Sequence, residues 1–398
     1  MIPRILAKAL RRAARQFPVI SLTGPRQSGK TTLVRATFPR HEYVSLELPD
    51  ERAFALQDPR GFLNRFRKSV ILDEAQRAPD LLSYIQVLVD EKDIPGRFVL
   101  TGSQNFLLLQ GISQSLAGRC AVLHLLPFSL AELEGRPATA IAALGKAMRH
   151  AHEEPRRDLH DVLFTGFYPR IHDKGLPPRT WLASYCQTYL ERDVRNVLNV
   201  DDLETFSRFI RLCAGRNAQL LNLSGLASDC GITHTTARRW ISVLETSFVV
   251  YLLRPHHENF NKRMVKSPKL FFLDTGLLCF LLGARSARDL ESHPARGPVF
   301  ESFVLSEIVK DFLNRGEPAP VYFWRDSSGH EVDFIVETAN GLLPVEAKSG
   351  QTFASDFLDG MKYWQDIGGR SGATAALVYG GDRGMMREGI AVVPWYRL

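Results

Sequence analysis

Apolar residues in the first third of the chain fall into short runs at 17–23, 43–46, 69–72, 97–101 and 120–125. The stretches between them have helical periodicity: 31–36, 48–66 (broken at Pro59-Arg60-Gly61) and 81–90. Short apolar strands alternating with amphipathic helices predict a parallel α/β sheet. A helix over 2–16 leads into the first strand. Beyond it, 135–155 is rich in Ala, Gly and Pro and then charged, which reads as a linker. Residues 181–196 form a helix with an aromatic stripe at Trp181, Tyr185 and Tyr189, the pattern of a packing face.

From 222 the pattern changes. A short helix ends at Gly231, Thr233 stands as an N-cap, and a second helix runs over 234–244. Apolar strands at 248–253 and 270–273 follow, with Asn261 and the basic residues Lys262, Arg263 and Lys266 between them. Helix, turn, helix and two strands predict a winged helix. The last part alternates as a helix over 297–313, strands at 321–324, 330–336 and 342–348, a helix over 353–367, and strands at 375–379 and 391–393. The predicted division is 1–136 as an α/β nucleotide-binding core, 137–200 as linker and helical lid, 201–285 as a winged-helix domain, and 286–398 as a second α/β domain.

Composition narrows the class. The chain has 398 residues, 45% hydrophobic and 23% charged, enough for two or three cored domains. Net charge is +7, which agrees with a nucleic-acid partner without establishing one. The five cysteines form no C-x-x-C pair, so neither a zinc site nor a disulfide framework is expected. With no signal-peptide pattern and no apolar run long enough to span a bilayer, the expected location is cytoplasmic.

The candidate chemistry begins at Gly24-Pro25-Arg26-Gln27-Ser28-Gly29-Lys30-Thr31-Thr32, a G-x-x-x-x-G-K-T loop between a strand and a helix. Glycines let the backbone wrap phosphate, and N–H groups at the helix start point at the anion. Lys30 reaches the β- and γ-phosphates of ATP, and Thr31 ligates Mg²⁺. The strand 69–72 runs into Asp73-Glu74. Asp73 holds Mg²⁺ there, and Glu74 polarises the attacking water. Ser103 or Gln104, after the next strand, is placed to sense the γ-phosphate; the alternative is an ordinary helix cap, with Ser103 or Asn105 as the N-cap. Arg119, just before the last strand of the core, is placed as an arginine finger acting on a neighbouring subunit, hence a homo-oligomer; the alternatives are a surface arginine or one acting in cis.

GPRQSGKTTL, VILDEAQ, VLTGSQNFLL, SLAGR and LLPFSLAEL, in that order, resemble the prokaryotic AAA-type ATPases that carry a C-terminal DUF4143 domain, an archaeal-ATPase-like branch of the AAA+ proteins. Residues 165–169 and 189–194 also resemble that family, although this chain has Gly166-Phe167-Tyr168-Pro169 where the family usually has Gly-Gly before the proline. The last domain is similar to the PD-(D/E)xK nucleases. That resemblance implies a site of Glu301, Asp333 and Glu346 holding Mg²⁺, with Lys348 beside the attacking water. In the winged helix, Thr235, Thr236, Arg238 and Arg239 are the candidate DNA contacts. Trp324-Arg325 and Lys362 are further candidates for the DNA backbone.

The expectation is an ATP-hydrolysing protein acting on DNA, with a metal-dependent nuclease domain. The alternatives are a nucleotide-dependent switch with a non-catalytic nuclease-like domain, and a defence or toxin-like effector.

Overall fold

In the computed structural model, residues 2–102, 115–144, 155–190, 203–256, 266–368 and 374–398 are described. Strand β1 (Val19–Thr23) is buried along its whole length, as is β4 (Phe98–Gly102). Both read as continuous apolar runs because a parallel sheet covered on both faces leaves no polar side. With β2 (Glu42–Ser45), β3 (Val70–Asp73) and β5 (Cys120–His124) they form a five-stranded parallel sheet in the order β2-β3-β4-β1-β5.

Helices α1 (Ala7–Ala13) and α2 (Lys30–Thr37) cover one face through Leu10, Leu33 and Val34. Helices α3 (Pro49–Gln57), α4 (Pro59–Asn64) and α5 (Leu81–Glu91) cover the other through Ala55, Phe62, Leu82 and Ile85. Phe62 is fully buried, so truncation to Ala costs about 3–5 kcal/mol. The break in this region falls at Asp58 rather than within 59–61. Asp58 caps α4 by accepting from the Gly61 N–H, and Pro59 starts the new helix, where its missing N–H costs nothing.

Contacts divide the chain into two units: 1–128 with 246–248 and 312–318, and the remainder. Helix α6 (Leu130–Glu134) falls in the second unit, where Glu307 accepts the Leu130 N–H at 2.9 Å. The second unit begins at Ser129. Helices α7 (Leu223–Cys230) and α8 (His234–Thr246) form the helix-turn-helix. Asn222 caps α7, Gly231 ends it in the left-handed region at φ 68°, and the Thr233 hydroxyl accepts the Thr236 N–H at 3.1 Å. Strand β6 (Gln219–Leu220) joins β8 (Lys269–Phe272) and β7 (Val250–Leu253) in a three-stranded sheet. Asn261, Lys262 and Arg263 lie outside the described residues; Lys266 is exposed.

Helix α9 (Arg296–Arg315) precedes a six-stranded mixed sheet, order β13-β14-β12-β11-β10-β9. Its strands are β9 (Val321–Arg325), β10 (Glu331–Thr338), β11 (Gly341–Lys348), β12 (Ala375–Tyr379), β13 (Met385–Arg387) and β14 (Ile390–Pro394). Helix α10 (Asp359–Ile367) belongs to the same apolar cluster through Met361 and Trp364, together with Trp324. Trp324 is therefore core, not a DNA contact. Arg325 pairs with Glu331 and Lys362 with Glu388, so both cations already have carboxylate partners.

Residues 178–185 are helical, and the helix continues with a wider turn over 186–190. Trp181 stacks on Tyr185, and both contact Tyr168, as packing residues do. The Tyr189 side chain and residues 191–196 lie outside what is described. Gly166 is held against Asp274 and Gly276, where a Cβ would collide, and the Phe167 N–H donates to Asp274 at 2.8 Å. No helix among the described residues is long and apolar enough to cross a membrane.

Candidate functional site

In a parallel sheet, residues following neighbouring strands gather at one edge. Here that edge collects the loop after β1, Asp73-Glu74 after β3 and the end of β4. Gly24 passes so close to the Leu125 carbonyl that no side chain fits, and Gly29 stands at φ 90°, just before α2. The intervening Gln27 also has a positive φ of 61°. The Ser28 carbonyl accepts from Arg4 at 2.8 Å, and the same guanidinium reaches the Leu126 carbonyl at 2.7 Å. Arg4 thus ties the loop to the exit of β5.

Lys30 is buried, and its ammonium donates to the carbonyls of Gly24 at 2.9 Å and Pro25 at 2.8 Å. Burial lowers its pKa to about 8, opposed by the charges of Glu74 and Asp73 and reinforced by Arg26. Thr31 follows it at the start of α2 and donates to both Asp73 oxygens, at 3.1 and 3.0 Å. Tyr43 donates to Asp73 at 2.8 Å, and Thr101 donates to the other oxygen. Burial, then the bond to Asp73, pushes the Tyr43 phenol up to about 12. Glu74 occupies the left-handed region at φ 56°, which turns it away from the strand path, and its carboxylate accepts from Gln76. Thr32, one position further along α2, is exposed.

The oxygen-only set of Thr31 and Asp73 at a strand end fits a hard divalent cation. Structure therefore brings Lys30, Thr31, Asp73 and Glu74 together as expected from spacing. It also adds three residues that the motif does not name: Arg4, Tyr43 and Thr101. Thr101 was legible in principle. Leu72 pairs with Leu100 in the parallel register, so the next residues along are Asp73 and Thr101. Arg4 has no such signal. Ser103, Gln104 and Asn105 lie outside the described residues. Arg119 is exposed and pairs with Asp90, and it also donates to the Ala117 carbonyl at 3.1 Å.

The second constellation lies in the other unit. Phe334 pairs with Val345 across the antiparallel β10–β11 ladder, and one step further Asp333 faces Glu346. A register shift on the β9 side between Val332 and Ile335 re-aims Asp333. Its Oδ2 accepts the Ala347 N–H at 3.0 Å; Glu346 accepts the Asp333 N–H at 3.4 Å and Lys348 Nζ at 2.7 Å. Burial first, then Asp333, raises the pKa of both Glu301 and Glu346. Burial alone would lower Lys348, yet Asp333 and Glu346 hold it above the usual lysine range.

The four expected residues converge, but two unexpected ones stand with them. Lys269 of β8 bonds Glu331 and is 4% exposed. Among the described residues no group of three or more His, Cys, Asp or Glu is arranged to hold a metal ion. Glu301, Asp333 and Glu346 as they stand do not fit the Mg²⁺ expected of them: the Asp333 and Glu346 carboxylates already accept from backbone N–H groups and the Lys348 ammonium.

On α8, Thr235, Arg238 and Arg239 are exposed while Ala237, Trp240 and Ile241 are buried. Thr236 is half-buried, its hydroxyl bonded to Thr233 at 2.9 Å, so it serves the cap before any ligand. Arg238 and His234 line a groove of about 640 Å³ together with Asn222, Ser224 and Glu245.

Family models match three stretches of the chain. The family model described as an AAA domain matches residues 16–134, and the one described as DUF4143, a domain of unknown function, matches 296–398. Between them, 156–288 matches DUF8612, another domain of unknown function. The chain is 33% identical over 350 residues to uncharacterized protein Rv2008c of Mycobacterium tuberculosis and equally to Mb2031c of Mycobacterium bovis, covering 88% of this chain and 74% of each relative. Among solved structures, the Walker-type ATPase PABY2304 of Pyrococcus abyssi is 16% identical, with a TM-score of 0.41, over 69% of this chain and 94% of that one. The RuvB Holliday junction branch migration motor of Thermotoga maritima is 18% identical, with a TM-score of 0.29, over 62% and 87%. With a P-loop on a five-stranded parallel sheet and a mixed-sheet C-terminal domain, the chain belongs with Rv2008c to the AAA-type, nucleotide-binding ATPases that carry a DUF4143 domain.

Proposed function

We propose that this protein hydrolyses ATP and that its nucleotide state governs its hold on DNA. One observation carries the ATPase half: Lys30, Thr31, Asp73 and Glu74 meet at one sheet edge, with Lys30 resting on neutral carbonyls. The γ-phosphate replaces those carbonyls as the partner of Lys30, since a charged acceptor binds an ammonium more strongly than a carbonyl does. Thr31 and Asp73 are the residues that would hold Mg²⁺, which neutralises phosphate charge when bound. Tyr43 and Thr101 orient the Asp73 carboxylate. Glu74 takes a proton from water as its oxygen attacks the γ-phosphorus and the bond to the ADP oxygen breaks.

Arg119 is the candidate finger for a neighbouring copy. It acts in trans only by exchanging Asp90 for a phosphate oxygen, which its exposure permits. The DNA half rests on Thr235, Arg238 and Arg239 exposed on α8, residue types that contact phosphates and base edges, and on the net charge of +7. In this reading the C-terminal domain grips rather than cuts, because its acidic residues are already matched by lysines.

The test is phosphate release with Mg²⁺, with and without duplex DNA, for wild type and Arg238→Ala/Arg239→Ala. Stimulation by DNA that the double variant loses is the expected result. Equal stimulation of both proteins removes α8 as the DNA contact. Cleavage of plasmid DNA that disappears in Asp333→Ala would restore the nuclease reading.

A further inference from the structure

Lys269 reaches Glu331, two residues before Asp333 on β10, from a different part of the fold. It lies on β8, the central strand of the β6-β8-β7 sheet, whereas Asp333 and Glu346 lie on β10 and β11 and Glu301 on α9. The two sheets are joined beside it: Pro255, just after β7, bridges to Phe323 on β9, and the His256 N–H donates to the Phe323 carbonyl at 2.7 Å. The Lys269 side chain is 4% exposed, and its ammonium bonds Glu331. The second Glu331 oxygen pairs with Arg325 at 3.1 Å.

Lys348 donates to Glu346, and the Asp333 Oδ2 is taken by a backbone N–H. A divalent ion needs several carboxylate oxygens turned to one point, at roughly 2.0–2.6 Å. Here those oxygens are turned to ammonium and amide donors instead. A second cation placed beside a buried ammonium is also repelled strongly, because little water screens the pair.

We propose that Lys269 is the resident counter-ion of this cluster and that its ammonium keeps divalent metal out. This rests on reading the cluster as a nuclease-like site, and it makes the site closed by the packing of the β6-β8-β7 sheet against β9 and β10. Removing the charge at 269 opens it to a metal ion.

The experiment follows Mn²⁺ binding to the full chain by electron paramagnetic resonance, in an Asp73→Asn background so that the P-loop contributes no site. The parent, Lys269→Met and Lys269→Met/Asp333→Asn are compared, with circular dichroism to verify folding. The expected result is no Mn²⁺ at the cluster in the parent, one ion bound at least tenfold tighter in Lys269→Met, and loss of that ion in the double variant. Mn²⁺ held by the parent and released on Asp333→Asn overturns the proposal. So does a folded Lys269→Met that binds none. If Lys269→Met does not fold, Lys269→Arg keeps the charge and must stay metal-free; an ion bound there overturns the proposal equally. Lys269→Met that binds Mn²⁺ yet leaves DNA uncut supports the assignment of Lys269 while removing the nuclease reading.

Discussion

Lys30 and Lys269 are both buried ammonium groups near carboxylates, and their surroundings treat them in opposite ways. Lys30 donates to two backbone carbonyls, and burial lowers its pKa to about 8 against the pull of Glu74 and Asp73. Lys269 donates to a carboxylate; burial alone would lower it, but Asp333, Glu331 and Glu301 hold it above the ordinary lysine value. A cation resting on neutral carbonyls is exchangeable, because an incoming phosphate is the better partner. A cation matched by carboxylates has no such gain to make. The same residue type therefore marks a ligand site in one unit and a filled site in the other, and only the identity of the acceptor separates them.

The largest effect expected is at Lys30. Lys30→Ala removes the charged donor to the phosphates and weakens ATP binding by about 100-fold or more, since a bond to a charged group contributes roughly 1.5–3 kcal/mol and the loop loses its cation as well. Titration with a fluorescent ATP analogue measures it; affinity within a factor of two of wild type would break the comparison. Glu74→Gln comes next. It keeps nucleotide binding and lowers turnover by about 10²–10⁴, the range for a lost general base, and wild-type turnover would sink the assignment of the base.

Thr101→Val tests the support beneath Asp73. Thr101 is fully buried and donates to that carboxylate, so the variant loses about 1–3 kcal/mol in urea unfolding and turns over more slowly; unchanged stability would show that Thr31 and Tyr43 suffice. A smaller effect follows from pH. The folded Lys30 pKa of about 8 lies below the ordinary 10.5, so the folded chain sheds this proton first. The group's contribution to stability is therefore smallest below about 8 and grows as pH rises toward 10.5. Nucleotide affinity runs the other way, falling by up to about tenfold per pH unit above 8 as the ammonium is lost; a flat affinity from pH 7 to 9.5 would contradict the lowered pKa. The smallest effect is at Arg119. Arg119→Ala leaves ATP binding intact and lowers turnover, with partial rescue on mixing with Glu74→Gln; no rescue argues against a shared site between copies.

Sequence made the P-loop core legible because backbone geometry and chemistry coincide there. The glycines, the lysine and the strand before them sit within one short stretch, and Asp73-Glu74 ends an apolar strand downstream. The two helices around Gly231 were equally readable, from Asn222, Gly231 and Thr233, whose capping roles depend on adjacent residues alone. What escaped were contacts made across long separations in sequence. Arg4 reaches Ser28 and Leu126, and Lys269 reaches Glu331; neither spacing has a pattern. The order of Glu301, Asp333, Glu346 and Lys348 led to the expectation of a metal site, and among the described residues no group there is arranged to hold a metal ion. That order could not reveal Lys269 of β8, which bonds Glu331 two residues before Asp333. Trp324 illustrates the same limit, since its place in β9 against Trp364 and Met361 makes it core.

Phosphate release with Mg²⁺ and ATP, measured side by side for wild type, Lys30→Ala and Asp333→Ala, tests the central claim most directly. The account predicts turnover in wild type, none in Lys30→Ala, and wild-type turnover in Asp333→Ala, because the exchangeable cation lies in one unit and the matched cations in the other. Turnover that survives Lys30→Ala would contradict it.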